Sequence, residues 1–193
     1  MVFDKEYFEG DLIGRTLPWG YSYYERWYRY DGVSSKGEYW KDKAQYLYQR
    51  LELLDKTVLD IGCAKGFLVS DLRDQNVNIW GIDISEYAIS QVEIGVKKYI
   101  ACLDALSYLE EIDKQRIDVI VSLRFLSCLQ DKEYIKRLIY HMNRVSKQQY
   151  HVIDETLSDK FYIQQSTEKW LQYDWKKGTI LVSHETGKET KKR

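Results

Sequence analysis

The chain has 193 residues, of which 44% are hydrophobic and 31% are charged, and its formal net charge at pH 7 is −1. This length and composition predict one folded domain with a sizeable core, and they exclude a disordered, collagenous or disulfide-scaffold protein. The balance of charge gives no global electrostatic basis for binding nucleic acid or a membrane, although it leaves room for a local charged patch.

Aromatic side chains are concentrated near the beginning of the chain. The sequence has 17 Tyr, 6 Trp and 5 Phe, and fourteen of these lie between Phe3 and Tyr48. The segment of residues 1–50 is therefore predicted to be an aromatic and largely irregular stretch, with a helix from Lys43 to Leu54 at its end.

The first ten residues are acidic and aromatic, without the basic and apolar regions of a secretory signal. No run approaches the roughly 18 apolar residues that a membrane-spanning helix needs. Cys63, Cys102 and Cys128 form no CxxC pair. We therefore expect a cytoplasmic protein with reduced thiols, and neither a disulfide, a metal site nor a membrane partner.

From residue 51 to residue 155, short apolar runs alternate with longer amphipathic stretches. The short runs predict five β-strands, at Thr57–Ile61, Asn78–Asp83, Tyr99–Cys102, Ile117–Ser122 and Gln149–Asp154. The longer stretches predict helices, among them Phe67–Asp74, one that Ser85 caps, and Tyr134–Val145. Strands and helices that alternate at this spacing indicate an α/β fold, namely a Rossmann-like, doubly wound and mostly parallel sheet with helices on both faces.

The last part of the chain is mixed in character. Thr167 is a candidate N-cap for a short helix, and Thr179–Ser183 is predicted to be a final strand. The sequence then ends in the basic run Lys188-Glu189-Thr190-Lys191-Lys192-Arg193. We predict that residues 186–193 form a disordered tail.

The first strand ends in Asp60-Ile61-Gly62-Cys63-Ala64-Lys65-Gly66 and runs directly into a helix. Gly62 allows a sharp turn, and Gly66 allows the backbone to approach a ligand or the next helix closely. A ligand at this place would lie at the carboxyl end of a strand and at a helix N-terminus.

Two further acidic residues follow at regular spacing. Asp83 lies 21 residues after Gly62, and Asp104 lies another 21 residues on. A carboxylate after the second strand can accept both hydroxyls of a ribose. An acceptor after the third strand, beside apolar Leu103 and Ala105, suits the exocyclic amine of adenine.

Together, these motifs closely resemble those of the class I S-adenosylmethionine-dependent methyltransferases. Residues 58–66 match the first motif of the family, Gly81-Ile82-Asp83-Ile84-Ser85 its second, Leu103-Asp104-Ala105 the acidic position after strand three, and Ile117-Asp118-Val119-Ile120-Val121 its fourth strand. The resemblance covers roughly residues 55–155, with the motifs in the family's order and spacing.

The resemblance implies a site for S-adenosylmethionine (SAM), with S-adenosylhomocysteine (SAH) as the product. The glycine loop would pass under the methionine moiety, which Asp60 would help to fix. Asp83 would hold the ribose, while Ile84 and Asp104 would contact the adenine. The implied cofactor-binding residues are Asp60, Gly62, Cys63, Ala64, Gly66, Asp83, Ile84, Asp104, Ala105 and Ser122.

The segment after the fourth strand departs from the family's pattern. Many small-molecule members carry an acidic residue near position 124 and Glu-His at 127–128, where this chain has Arg124, Ser127 and Cys128. The usual histidine candidate for a general base is therefore missing. The candidate catalytic residues that remain are Tyr21, Tyr23, Tyr24, Arg124 and His151. Arg124 suits a salt bridge equally well, and His151 suits a structural role.

Family members commonly place a variable N-terminal segment over the cofactor. We therefore divide the chain into an N-terminal aromatic cap or lid (residues 1–50), a methyltransferase domain (51–185) and the basic tail (186–193). The run from Trp19 to Tyr30 is assigned to a lid that shapes the acceptor pocket, because Tyr side chains combine an apolar body with a polar tip.

The function predicted from the sequence is methyl transfer from SAM to a small-molecule or glycan-like acceptor. An RNA methyltransferase is an alternative, since arginines and aromatics alternate in the first segment, although the Asn/Asp-Pro-Pro-Tyr signature of base-amine methyltransferases is absent. A second alternative is a non-catalytic binding or scaffold protein with this fold. A nicotinamide dehydrogenase is disfavoured, because its Gly-x-Gly-x-x-Gly fingerprint requires glycine where this chain has Ala64 and Phe67.

Overall fold

A computed structural model of the chain describes residues 3–9, 38–155, 166–184 and 186–192. The helices in these ranges are α1 (Lys5–Glu9), α2 (Glu38–Leu51), α3 (Phe67–Asp74), α4 (Glu86–Ser90), α5 (Ile94–Lys97), α6 (Ala105–Glu111), α7 (Lys132–Val145) and α8 (Thr167–Trp170). The strands are β1 (Thr57–Ile61), β2 (Asn78–Asp83), β3 (Ile100–Cys102), β4 (Ile117–Leu123), β5 (Ser146–Ile153), β6 (Ile180–Ser183) and β7 (Glu189–Lys191). A short 3-10 helix, Leu126–Cys128, follows β4.

The seven strands form one sheet in the order β3-β2-β1-β4-β5-β6-β7. All neighbouring strands are parallel except β7, which runs antiparallel to β6. The prediction of a Rossmann-like, mostly parallel sheet is confirmed. The strand order reverses between β1 and β4, and such a switch point leaves a crevice at the carboxyl ends of the strands.

The central strands are apolar because helices cover both of their faces. Along β1, Val58 and Leu59 are fully buried, and they belong to separate core clusters on opposite faces. One cluster includes Leu138 of α7, and the other includes Leu47 of α2 and Leu72 of α3. A parallel sheet with both faces covered requires near-continuous apolar strands, which is the pattern that the sequence shows.

The predicted boundary between a cap and a domain falls inside α2. This helix begins at Glu38 and ends at Leu51, where Glu52 adopts a left-handed φ of 51°. Ala44 and Leu47 on α2 are fully buried in the same cluster as the sheet. The helix is therefore part of the α/β core, and its interior face explains some of the early apolar and aromatic residues.

The prediction of a disordered tail over residues 186–193 is wrong for β7. This strand pairs with β6, with Leu181 opposite Thr190. It is also held from α2, since Arg50 donates to both carboxylate oxygens of Glu189 and Tyr46 donates to one of them. These contacts between distant parts of the sequence order a segment whose own composition is polar.

A methyl group at Gly62 would collide with the segment after β4. Gly62 has a φ of +77°, and a Cβ built on it would lie 2.7 Å from the Cβ of Phe125. We expect Gly62→Ala to lower the free energy of unfolding by roughly 2 kcal/mol or more, because alanine disfavours left-handed backbone and Phe125 would have to move.

Gly95→Ala is the matched control for this variant. Gly95 lies in α5, and a Cβ there meets no described heavy atom within 4 Å. Because alanine favours helix, the free energy of unfolding should stay the same or rise by up to about 1 kcal/mol. Urea denaturation measures both variants, and equal stabilities would contradict the packing of Phe125 against Gly62.

Candidate functional site

The loop after β1 is a tight turn built from left-handed residues. Gly62, Ala64 and Gly66 have φ angles of 77°, 49° and 75°. The backbone N–H groups of Gly62 and Cys63 both donate to the carbonyl of Ile82, at 2.9 and 3.1 Å. The loop is thereby folded against the end of β2, and α3 starts directly after it.

Asp83, the last residue of β2, fixes this loop with its side chain. One carboxylate oxygen accepts the backbone N–H of Ala64 at 2.8 Å, and the other accepts that of Ser85 at 2.8 Å. Burial raises the pKa of Asp83, although backbone donors from Ser85, Ala64 and Ile84 oppose the rise. Since each oxygen has two lone pairs, the carboxylate can still accept a pair of ligand hydroxyls.

Asp60 is a buried acid in the strand next to Asp83. It is only 3% exposed, and its carboxyl group accepts no hydrogen bond from the described part of the chain. Burial and the nearby charge of Asp83 raise the pKa of Asp60 to about 8. A buried carboxyl without a donor is costly, so a cationic group of a ligand would stabilise it here.

Asp104 follows β3 and caps α6. One oxygen accepts from the backbone N–H and the hydroxyl of Ser107, at 2.9 Å each, and the other accepts from the hydroxyl of Tyr134 at 2.7 Å. Burial alone would raise the pKa of Asp104, but these hydrogen bonds outweigh it and hold the pKa below its usual value. The oxygen that faces Tyr134 retains a lone pair for a further donor.

Exposed apolar side chains lie beside these carboxylates. Ile84 is 54% exposed and Leu103 is 42% exposed. The backbone N–H of Leu103 donates to the carbonyl of Asp83 at 2.9 Å, which joins the two strand ends. Buried Ala105 follows at the start of α6. An apolar ring with a donor at its edge fits between such residues and Asp104.

The far side of the crevice is formed by the segment after β4. Arg124 has a left-handed φ of 68°, and its guanidinium forms an ion pair with buried Asp154 at 2.6 Å. The thiol of Cys128 donates to the carbonyl of Arg124, and burial raises the pKa of that thiol to about 12. Arg124 therefore lies at the predicted edge as half of a salt bridge, and Cys128 is a protonated thiol at neutral pH.

Two of the predicted site residues contact each other inside the fold. Ser122 and His151 are fully buried, and the Oγ of Ser122 lies 2.8 Å from Nδ1 of His151. Nε2 of the same ring lies 3.2 Å from Gln149 Oε1, and the ring packs on Trp175. Burial lowers the pKa of His151 to about 3, so the ring is neutral. This arrangement favours the structural role for His151.

The described N-terminal residues, which include helix α1, lie over the crevice at the carboxyl ends of the strands. Phe8 packs in one cluster with Ala64 and Ala88, and the Oγ of Ser85 donates to the carbonyl of Phe3. The hydroxyl of Tyr7 lies 3.8 Å from Sγ of Cys128. Residues 3–8 thus reach from the start of α4, after β2, to the segment after β4.

The structure describes the predicted cap or lid of residues 1–50 only in part. Tyr21, Tyr23 and Tyr24, like the whole run from Trp19 to Tyr30, lie outside the described residues. Phe3, Tyr7 and Phe8 lie within the predicted cap but were not named individually as site residues, and neither was Tyr134 on α7. The spacing of Phe3, Tyr7 and Phe8 is a helical signal that predicts one apolar face.

Among the residues that the structure describes, no helix is long and apolar enough to cross a bilayer. Nor do His, Cys, Asp and Glu side chains of these ranges form a group of three that could hold a metal ion.

The sequence is similar to a known family over most of its length. Residues 32–189 match the family described as "Methyltransferase domain". A ubiquinone biosynthesis O-methyltransferase of Pseudomonas entomophila (strain L48) is 29% identical over 105 residues, which cover 52% of this chain and 45% of that protein. Its counterpart in Pseudomonas putida (strain W619) is 30% identical with the same coverage. The chain thus spans less than half the length of these curated relatives.

Solved structures share the fold. A SAM-dependent methyltransferase from Archaeoglobus fulgidus matches with a TM-score of 0.52 and 23% identity, over 66% of this chain and 54% of that chain. The magnesium protoporphyrin IX methyltransferase from Synechocystis PCC 6803, solved with bound SAM, matches with a TM-score of 0.53 and 16% identity, over 70% and 65%. At these identities, the likeness is one of fold.

The capping role of Asp104 can be separated from a ligand role. We expect Asp104→Ala to lower the free energy of unfolding by about 1–2 kcal/mol, because the N-cap of α6 is lost. Asp104→Asn is the control: its amide oxygen still caps the helix, so the loss should be less than half as large. Urea denaturation measures both, and a wild-type stability for Asp104→Ala would contradict the cap.

Proposed function

The chain belongs to the family of methyltransferase domains, and we propose that it binds S-adenosylmethionine and transfers the methyl group to a small-molecule acceptor. One observation carries the proposal. Asp60, Asp83 and Asp104 stand at three neighbouring strand ends around a glycine loop, at the switch point of the sheet.

The described residues fit this cofactor. The buried carboxyl of Asp60 would pair with the ammonium of the methionine moiety, and both oxygens of Asp83 would accept the ribose hydroxyls. Asp104 and the backbone of Ala105 would meet the adenine, which Ile84 would cover. The carboxyl of Asp60 supports this most strongly, since it is buried and lacks a donor in the described structure.

When bound, the cofactor supplies an electrophilic methyl group on a sulfonium. An acceptor atom would take this methyl carbon as the carbon–sulfur bond broke, which would leave the electron pair on sulfur. Because the leaving group is good, the main task of the protein is to align the acceptor with the methyl group. Helix α1 covers the glycine loop through Phe8 and Ala64, and it would exclude water from this place.

An acceptor with an acidic hydroxyl fits this site better than one that needs a strong base. His151 is buried, with both ring nitrogens engaged, and its pKa is lowered to about 3. Arg124 is cationic and forms an ion pair with buried Asp154, so it does not act as a base for the acceptor hydroxyl. The names of the two ubiquinone biosynthesis O-methyltransferases support an oxygen acceptor on a small molecule.

Removal of the Asp83 carboxylate tests the proposed cofactor site. We expect Asp83→Ala to weaken SAM binding by at least about 100-fold in calorimetry, since two hydroxyls lose their acceptors and the loop loses its anchor. Asp83→Asn, which keeps one acceptor oxygen, should weaken it less. Asp113→Ala, an exposed acid far from the site, is the control. Circular dichroism reports folding, and unchanged affinity in folded Asp83→Ala would refute the assignment.

The raised pKa of Asp60 predicts that cofactor affinity depends on pH. Below a pKa of about 8, the carboxyl group must lose a proton before it pairs with a cation. The affinity for SAM should therefore rise from about pH 6 to about pH 7.5, by up to about tenfold per unit, while the ligand's amine stays protonated.

Two variants test whether Asp60 causes the pH dependence. Asp60→Asn should bind with an affinity that is nearly independent of pH, because the titrating group is gone. Asp118→Asn should retain the wild-type slope, because Lys147 and other partners hold the pKa of Asp118 at about 2 and it does not titrate in this range. Calorimetry over the range measures all three proteins, and a flat wild-type profile would contradict the pairing of Asp60 with the cation.

A further inference from the structure

A basic groove lies at the amino edge of the sheet, opposite the proposed cofactor site. Its volume is about 420 Å³, and it is lined by residues that precede or begin β1, β4, β5 and β6, and by β7. Five of the lining side chains are lysines: Lys56, Lys147, Lys176, Lys177 and Lys191. A neighbouring depression shares Lys177 and Lys191 and adds Lys192.

The positive charge of the groove is only partly balanced by its own lining. Asp118 is the one acid among the lining residues, and it pairs with Lys147 at 2.7 Å. Lys56 donates to the carbonyl of Leu51 and Lys176 to that of Ser146. Carbonyls orient an ammonium without neutralising it, so an excess of positive charge remains in a chain whose net charge is −1.

The types of side chain that line the groove indicate which class of anion would bind there. The lysines are compact point charges that suit phosphate, and neither an arginine fork for a carboxylate nor an aromatic face for a base or sugar is among the lining residues. The volume falls within the range of small-ligand sites. We propose that this groove binds a small oligophosphate, a ligand with two or three linked phosphate groups.

This site is separate from the proposed cofactor site. Strand β4 runs from Ile117, beside the groove, to Leu123, beside the crevice, which is a span of roughly 20 Å. Occupation of one edge therefore leaves the other accessible. The oligophosphate proposal does not depend on the proposed function.

Calorimetric titration with tripolyphosphate tests the groove, with SAH titrated in parallel. We expect the wild type to bind tripolyphosphate, and the double variant Lys177→Gln, Lys191→Gln to bind it at least about tenfold more weakly. The control pair Lys97→Gln, Lys132→Gln removes the same charge from exposed positions elsewhere and should change the affinity less than about twofold.

Several outcomes would overturn the proposal. One is an absence of tripolyphosphate binding by the wild type, and another is equal weakening by the groove pair and the control pair. Tighter binding of duplex RNA, or of vesicles with anionic lipid, that depends on the same two lysines would also overturn it, because the groove would then serve a macromolecular surface. Failure of SAH to bind while tripolyphosphate binds would count against the proposed function alone.

Discussion

The carboxylate of Asp83 organises the carboxyl edge of the sheet. Its oxygens accept the backbone N–H groups of Ala64 and Ser85, so one side chain fixes both the loop after β1 and the start of α4. The same carboxylate lies near buried Asp60 and contributes to the raised pKa of that neighbour. This edge is therefore preorganised for a ligand that brings hydroxyl donors to Asp83 and a positive charge to Asp60.

The described part of the N-terminal segment lies over this edge of the sheet. Phe3, just before α1, accepts a hydrogen bond from Ser85 after β2, and Tyr7 of α1 contacts Cys128 in the segment after β4. These residues thus bridge the two sides of the switch point, where the strand order reverses. A cover of apolar side chains lowers the local dielectric constant, which strengthens every charged interaction beneath it. The basic groove lies at the opposite edge, where the strands begin.

The sequence predicts the fold well because its signals are local. Apolar runs define the central strands, and the spacing of Asp83 and Asp104 places both at strand ends. The partners of these acids could not be predicted, since Tyr134 reaches Asp104 from α7, 30 residues away. Strand β7 was missed for a similar reason, because its polar residues are ordered by pairing with β6 and by the contact of Glu189 with Arg50.

A crystal structure of the chain with S-adenosylhomocysteine would test whether Asp83 and Asp60 hold the cofactor. We expect the ribose hydroxyls to lie within about 3 Å of the carboxylate oxygens of Asp83, with the amino group at a similar distance from Asp60. The adenine should lie beside Ile84 and Asp104. A ligand bound elsewhere in the molecule, or at this edge without contact to Asp83 and Asp60, would show that these carboxylates do not form the cofactor site.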